Sequence, residues 1–369
     1  MTRRSGSWPV QARSRPFPIV GSMVEGLKSI DWYRLRGHDG YADDLPRLLR
    51  QARTSVEPHE ELVRHLCADE SGVSEATAAA WPFLLDLVAH DHTPGREWLL
   101  ENLCGGIAAA AGSLPDGAHP SWPPAWEASK PALLALLDHG SATVRRGVLF
   151  VLGQGRGDSA PVLPALTRRW ELETDPATRL CLVLVATEFA GRGDEAAVSW
   201  LRELPVAGDE PQARLLVSAA TRPDADVILR GLTGDLELFL STGSFEMGYE
   251  EVLEHVLWLV GPKDFEGMDL VLALVDVLPW RTEALDHLRR LFERDTTDVG
   301  LVVPFVPVWA ADPDVRLRAF AVWLVGVARA REYTDIVAAA VHDHAVTSLG
   351  QRVSTLATSV LLELRESPA

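Results

Sequence analysis

Asp-Pro-Asp-Val-Arg-Leu-Arg-Ala-Phe-Ala-Val-Trp-Leu-Val-Gly, residues 312–326, is the stretch that decides how this chain is expected to fold. Asp312 can accept hydrogen bonds from the free backbone N–H groups of a helix start. Pro313 suits the first helical position because it has no N–H to leave unpaired. At about 100° per residue, four apolar side chains share one stripe on such a helix, namely Val315, Ala319, Val322 and Trp323. We expect this stripe to pack against another helix.

The same kind of helix start occurs upstream, at residues 141–145, 175–179 and 210–214. Apolar residues follow each start with the same spacing. In all, the four-residue apolar pattern opens seven times, at Val144, Thr178, Ala213, Val252, Trp280, Val315 and Val353. The successive intervals are 34, 35, 39, 28, 35 and 38 residues. A recurrence of this length is typical of an array in which each repeat contributes one helical pair.

Residues 132–153, ALLALLDHGSATVRRGVLFVLG, resemble a whole unit of the HEAT-repeat family. They contain a leucine-rich first helix, a polar turn, Val-Arg at the opening of a second helix, and Leu-Gly near its end. Residues 301–326 are similar, and the resemblance covers most of the chain after about Asp43. It implies an all-α fold, a right-handed α-solenoid of about eight or nine stacked helical pairs. Residues 23–369 would then form a single solenoid.

In HEAT proteins, the aspartate of the turn and the arginine that opens the second helix have structural roles, because they tie neighbouring repeats together. The resemblance therefore assigns a scaffold role to the corresponding residues here, which are Arg145, Asp175, Arg179, Arg214, Asp312 and Arg316. It says little about function, because one fold can carry many unrelated activities.

Two segments interrupt the pattern and are predicted to be inserted loops. Arg96 and Arg145 are 49 residues apart, 15 more than one 34-residue interval, and residues 113–127 account for the surplus. Trp122 and Trp126 in this segment either cover the neighbouring helix or bind a partner, since tryptophan is favoured at binding hot spots.

Residues 240–249 form the second irregular segment and explain the 39-residue interval. Phe245 and Tyr249 could line a recognition surface there, or the segment could be a flexible connection between repeats.

Composition limits the classes of partner. The formal net charge is −17, which repels phosphate backbones, and the sequence contains no basic stripe of the kind that nucleic-acid binders use. Nucleic acid is therefore an unfavourable partner, whereas a basic protein would suit the acidic balance.

The three cysteines are widely spaced in apolar helical contexts, which is typical of a reducing cytoplasm. The sequence contains no apolar run long enough for a membrane span. Residues 1–22 are rich in Arg, Ser and Pro and are predicted to be disordered, with Met23 as a candidate natural start.

Motifs for catalysis or metal binding are not apparent. The residues 90–92 and 342–344 each read His-Asp-His, but a stable metal site needs three or four converging ligands. The histidines in residues 59–65 are six apart, whereas a zinc-protease helix needs them four apart. We therefore predict no metal, no cofactor and no catalytic residue.

The leading hypothesis is a cytoplasmic, non-catalytic scaffold, adaptor or inhibitor that binds a protein partner on its concave face. The alternative is an enzyme similar to the HEAT-like alkylpurine DNA glycosylases, which grip DNA in a basic groove. That alternative would be favoured if seven arginines converged on one side, namely Arg47, Arg50, Arg64, Arg168, Arg169, Arg289 and Arg290.

Overall fold

The computed structural model describes residues 23–366, except 39, 68–71, 114–117, 156–158, 207, 209, 246–248, 261–264, 277–280, 295–298 and 348–349. The segment 1–22, predicted to be disordered, lies outside the described residues. Contacts between Cα atoms divide the chain into two compact units, with the boundary between Leu259 and Val260. Each unit is described by itself below.

The described part of the first unit is mostly helical. Their bounds are α1 Met23–Lys28, α2 Leu45–Ala52, α3 His59–Leu66, α4 Glu75–Ala89, α5 Arg96–Trp98, α6 Gly105–Ser113, α7 Trp122–Leu136, α8 Ala142–Gln154, α9 Leu163–Leu172, α10 Pro176–Gly191, α11 Glu195–Glu203, α12 Pro211–Thr221, α13 Ala225–Leu232, α14 Glu237–Leu240 and α15 Tyr249–Val260. A π-helical turn, Leu99–Cys104, joins α5 to α6, and 3-10 turns cover Trp32–Arg34 and Gly243–Phe245. The last helix, α15, ends at the unit boundary.

The second unit is built in the same way. Its helices are α16 Phe265–Val275, α17 Arg281–Arg294, α18 Val299–Val302, α19 Val306–Ala310, α20 Val315–Ala328, α21 Thr334–Ala340 and α22 Val353–Glu366. Two further 3-10 turns cover Val303–Phe305 and Arg331–Tyr333.

The fold is all-α, as the sequence predicts. Within the described ranges, strand pairing is confined to β1, Arg36–Gly37, with β2, Gly40–Tyr41, and to one isolated bridge between Val346 and Arg352. No helix in the described part of the chain has the length and apolar character needed to cross a lipid bilayer.

Helices pack in two ways in each unit. A preceding helix contacts the one that follows it, as α9 contacts α10, α11 contacts α12, α19 contacts α20 and α21 contacts α22. The later helices of these pairs also contact one another, since α10 lies against both α8 and α12, and α20 lies against both α17 and α22. The apolar stripes therefore have two kinds of neighbour to pack against.

Burial agrees with the predicted stripes for α8 and α10. All four stripe residues of each helix are buried, from Val144 to Leu152 in α8 and from Thr178 to Ala186 in α10. In α12 the buried side is displaced from the predicted one, and it is formed by Gln212, Ala213, Leu215, Leu216 and Ala219. The predicted stripe residues Val217, Ala220 and Thr221 are only half-buried.

Two helix starts are confirmed and one is corrected. Asp175 accepts a hydrogen bond from the backbone N–H of Thr178 at 2.8 Å, and Pro176 is the first helical residue of α10. Ser141 caps α8 through the N–H of Val144 at 3.5 Å. The predicted cap at Asp312 is wrong.

Helix α20 begins at Val315, and its cap is Asp314, which accepts the N–H of Arg316 at 2.9 Å. Asp312 instead accepts the N–H of Asp314 at 2.7 Å and so holds the turn before the helix. Either aspartate could cap the helix. Asp314 is the cap, and Pro313 therefore lies in the turn before the helix.

The predicted inserted loop at 113–127 is shorter than expected, because α7 already begins at Trp122. Pro123 and Pro124 lie in its first turn, where a missing N–H leaves no intrahelical hydrogen bond unmade. The described part of 240–249 is packed rather than open. Its 3-10 turn, Gly243–Phe245, contacts α8, and Thr242 is fully buried.

Candidate functional site

The predicted corner arginines form a repeated arrangement. Arg145 donates to both carboxylate oxygens of Glu173, at 2.8 and 2.9 Å, and to the backbone carbonyls of His139 and Gly140 at 2.8 and 3.1 Å. It thus joins the turn before its own helix to the turn between α9 and α10, the helices of the next pair.

Arg179 repeats this geometry one pair later. Its guanidinium donates to Glu210, at 2.5 Å from Nε, and to the backbone carbonyl of Trp170 at 3.0 Å. The same guanidinium lies 3.7 Å from the centroid of the Trp170 ring. Each arginine comes four residues after its helix cap, which is Ser141 for Arg145 and Asp175 for Arg179.

The second unit contains an equivalent arginine that the sequence analysis missed. Arg318 is four residues after the cap Asp314, and it donates to Asp343 at 2.7 Å and to the carbonyls of Asp312 and Pro313 at 2.9 and 2.7 Å. Arg316, the predicted corner residue, instead bonds to its own cap Asp314, at 2.6 to 3.2 Å.

Arg214 also follows its cap position, Glu210, by four residues, but its side chain is exposed. The scaffold assignment thus has direct contacts behind it for Arg145 and Arg179, and a different arginine takes the equivalent place in α20.

The two tryptophans of the first irregular segment are buried, with 6% of Trp122 and 4% of Trp126 exposed. Their rings cluster with Trp81 of α4, with centroids 5.1 to 6.0 Å apart. Trp81 also donates its indole N–H to Ser129 at 2.9 Å. These rings therefore contribute packing between α4 and α7, which is one of the two alternatives that the sequence left open.

Phe245 is buried as well. Its ring packs edge-on against Phe150 of α8, with centroids 5.1 Å apart, and it covers Gly153. Tyr249 is the first residue of α15, and its side chain lies outside the described part of the structure. Three of the four predicted partner-binding residues, Trp122, Trp126 and Phe245, are therefore buried and do not line an open surface.

An open cleft of about 130 Å³ lies in the second unit between α17, α20 and the start of α22. Its floor consists of the buried side chains Leu285, Ala319 and Phe320. Trp323 is half-buried and forms one wall, whereas the apolar stripe to which it belongs was expected to pack against another helix. The spacing of the α20 residues in the cleft, at 316, 319, 320 and 323, is that of one helix face.

Polar groups surround this apolar floor. They are supplied by Thr282, Asp286 and Arg289 of α17, by Arg316 of α20, and by Thr347 and Gln351 of the turn before α22. Arg316 is engaged with Asp314 and also donates to Thr282. Arg289 donates its Nε–H to Glu293 at 2.9 Å, and its guanidinium lies 6.0 Å from the Trp323 ring centroid.

Several of these groups have hydrogen-bonding capacity to spare. Asp286 is exposed and forms no ion pair or hydrogen bond with any described residue. The same holds for the side-chain amide of Gln351 and the terminal nitrogens of Arg289. An apolar floor with a few free polar groups around it is a common form of binding site.

Sequence analysis could not have found this cleft from one stretch, because its lining comes from three segments between Thr282 and Leu356. The available signal was the side of α20 that carries Phe320 and Trp323. Trp323 appears in the recurring apolar pattern, but it occupies a position that Leu152 and Ala186 fill elsewhere with smaller side chains.

A second polar cluster lies in the first unit, between α10 and α15. Thr187 donates its hydroxyl proton to the carbonyl of Leu184 at 2.8 Å, so it accepts from Nε2 of His255 at 3.1 Å. The proton of neutral His255 is therefore on Nε2. Its Nδ1 lies 3.6 Å from a carboxylate oxygen of Glu188.

Burial opposes charge on both members of this pair. It lowers the pKa of His255 to about 4, and it raises the pKa of Glu188, an effect that the nearby Arg192 partly offsets. Opposed pKa shifts can mark acid–base centres. Here His255 is also enclosed by Trp258, with ring centroids 5.4 Å apart, and Trp258 lies over Gly191. The contacts serve to attach α15 to α10.

The buried histidine gives a pH prediction. Because its pKa is lower in the folded than in the unfolded chain, its contribution to stability is complete above about pH 6.5 and is lost as the pH falls toward 4. We expect the wild type to lose about 1 to 2 kcal/mol more than His255→Gln between pH 7 and pH 5, as measured by urea unfolding.

The comparison with His255→Gln is needed because burial also lowers the pKa of His59, which acts in the same direction. His59→Gln is therefore measured as well, because it removes a second buried histidine whose pKa is lowered. Equal pH slopes for the wild type and His255→Gln would show that His255 is not the source of the effect.

A metal site or a reactive thiol in the described residues would need converging ligands or an accessible sulfur, and two of the three cysteines are fully buried. No group of three or more His, Cys, Asp or Glu side chains there could hold a metal ion. Cys104 and Cys181 are buried in apolar surroundings that raise their thiol pKa, so neither is a reactive thiolate.

No protein-family model matches the chain, and no curated protein matches it either.

Proposed function

We propose that this protein is a non-catalytic binding module of HEAT-like helical pairs, and that it holds a protein partner in the cleft lined by Trp323. The observation that carries the proposal is the cleft itself, an open apolar floor beside which the carboxylate of Asp286 and the side-chain amide of Gln351 form no hydrogen bond with any described residue. The cleft lies on later helices of successive pairs, and in solenoid proteins such helices commonly form the binding surface.

The repeat assignment rests on the corner arginines. Arg145, Arg179 and Arg318 each follow the helix cap by four residues and donate to a backbone carbonyl of the turn before their own helix. Each also binds an acidic residue in the turn between the two helices of the next pair. The acid is 28, 31 and 25 residues further along the chain, respectively. A contact that recurs in three of the helical pairs supports a right-handed α-solenoid built from such pairs, with a cytoplasmic role as scaffold, adaptor or inhibitor.

The DNA glycosylase alternative has weaker support, because the arginines that it needs are largely engaged with acids. Arg47 pairs with Asp44 and Glu61, and the others with such contacts are Arg168 with Asp138, Arg169 with Glu173 and Arg289 with Glu293. An arginine that is already paired offers less net positive potential to a phosphate.

Photo-crosslinking tests the proposed function. A photoreactive phenylalanine analogue at Gln351 should crosslink one protein in an extract of the host, and Trp323→Ala should abolish that crosslink. Trp98→Ala serves as the control, since Trp98 is partly exposed but lies in the other unit. The same analogue at Val308, which is exposed outside the cleft, controls for random capture.

Three outcomes would oppose the proposal. The crosslink could persist in Trp323→Ala, it could appear equally from position 308, or the captured material could be nucleic acid. The last result would favour the glycosylase alternative.

A further inference from the structure

We propose that the cleft receives a lysine or arginine side chain of a protein partner. This inference rests on the proposed function, and it adds the chemical class of the residue that the cleft recognises. It follows from three features of the cleft, namely its floor, its unpaired charge and its aromatic wall.

The floor suits the apolar stem of a long basic side chain. Leu285, Ala319 and Phe320 are buried and present only carbon atoms to the cleft from their side chains. Lysine and arginine bury their methylene groups against such surfaces while the charged end stays near water. A cleft of about 130 Å³ has room for one side chain rather than for a folded element.

The charge that is left unpaired around the cleft is negative. Of the two lining arginines, Arg316 is held by Asp314 and Arg289 donates to Glu293. Asp286 has no charged partner among the described residues. An incoming cation could therefore pair with Asp286 without displacing an existing ion pair.

The surrounding field has the same sign. Residues 260–369 contain 11 Lys and Arg against 16 Asp and Glu, and the whole chain has a net charge of −17. Such a field attracts a basic segment and raises its rate of association. An acidic segment would meet both the field and Asp286 with unfavourable charge.

Trp323 provides the third feature. Its indole ring forms the wall of the cleft, and a cation within about 6 Å of an indole ring is stabilised by the charge distribution of the ring. The guanidinium of Arg289 lies 6.0 Å from the ring centroid, at the outer limit of that range. The side-chain amide oxygen of Gln351 can accept a hydrogen bond from the incoming cation.

A displayed library of random 12-residue peptides, selected on the full chain, tests this inference. We expect the selected peptides to share a lysine or arginine, and their affinity to fall roughly tenfold or more in Asp286→Asn, which removes the charged partner. Asp335→Asn is the matched control, because Asp335 is an exposed acid of the same unit outside the cleft and the change in net charge is identical.

The outcomes separate the inference from the proposed function. Selected peptides that lack basic residues, or that bind Asp286→Asn as well as the wild type, would overturn the inference but leave a Trp323-dependent binding site in place. Equal weakening by Asp335→Asn would also overturn it, since the effect would then be one of net charge. Peptides whose binding is unchanged in Trp323→Ala would overturn both.

Discussion

Glu173→Ala should destabilise the protein by about 3 to 5 kcal/mol, because it leaves the buried guanidinium of Arg145 without its charged partner. The Glu173 side chain is 1% exposed and receives both Arg145 hydrogen bonds and a third from Arg169 at 3.0 Å. Its carboxylate also accepts the backbone N–H groups of Thr174 and Asp175, each at 3.0 Å. Urea unfolding of the full chain measures the loss as a lower midpoint.

The control is Asp138→Ala, which removes an exposed ion pair. Arg168 and Asp138 are 56% and 50% exposed and 2.7 Å apart, and such pairs contribute only about 0 to 1 kcal/mol. Glu173→Gln should lie between the two, since the amide keeps acceptor capacity but loses the charge. Similar midpoints for Glu173→Ala and Asp138→Ala would show that the corner does not depend on Glu173.

The effect of Glu173 should also depend on pH. Burial alone would raise the pKa of Glu173, but its hydrogen bonds and the charges of Arg145 and Arg169 outweigh burial and lower it. A carboxylate with a lowered pKa in the folded chain stabilises it fully above the unfolded value of 4.5, and this contribution is lost as the pH falls below that value. The difference between the wild type and Glu173→Ala should therefore shrink below about pH 4.5.

Glu173 also illustrates what the sequence could and could not predict. The turn residues and the arginine near each helix start are local features, so the sequence alone predicts Ser141, Asp175, Arg145 and Arg179 as parts of the corners. The acid that each arginine binds lies in the turn between the two helices of the next pair, which for Arg145 is 28 residues further along the chain. Its identity depends on how one pair stacks on the next, which spacing alone does not determine.

Local competition explains the error at the start of α20. The sequence Asp312-Pro-Asp offers two caps, and the structure uses the second, Asp314. The arginine four residues after the cap is then Arg318 instead of Arg316. Because the helix cap lies two residues later than expected, the arginine that binds the next acid is also two residues later, at Arg318.

The candidate cleft could be predicted even less, since it depends on three segments that come together only in the fold. The sequence showed an aromatic residue, Trp323, on the helix that was expected to be buried. It did not show that the Trp323 side chain, which is larger than the leucine or alanine at the same position of other repeats, stays half-buried beside an open cleft. Exposure of that ring is a property of the packing between α17, α20 and α22.

Trp126→Ala should destabilise the protein by about 3 to 5 kcal/mol, because it opens a cavity in the cluster formed with Trp81 and Trp122. Trp126 is 4% exposed, so the loss would be one of packing and not of a surface contact. Trp98→Ala, at a partly exposed tryptophan that stacks on His59, is the control and should cost less. A normal unfolding midpoint for Trp126→Ala would instead favour the partner-binding interpretation of this residue.

Gly155 makes the test sharper, because a Cβ atom there would overlap the Trp126 ring. Gly155→Ala alone should therefore cost about 1 to 3 kcal/mol through overpacking. In the Trp126→Ala background the ring is absent, so the added methyl group would enter the cavity and the cost should largely disappear.

The double variant should thus be more stable than the sum of the single effects predicts, by about 1 kcal/mol or more. Additive effects would mean that Trp126 does not occupy the space beside Gly155, and the packing account of the first irregular segment would then fail.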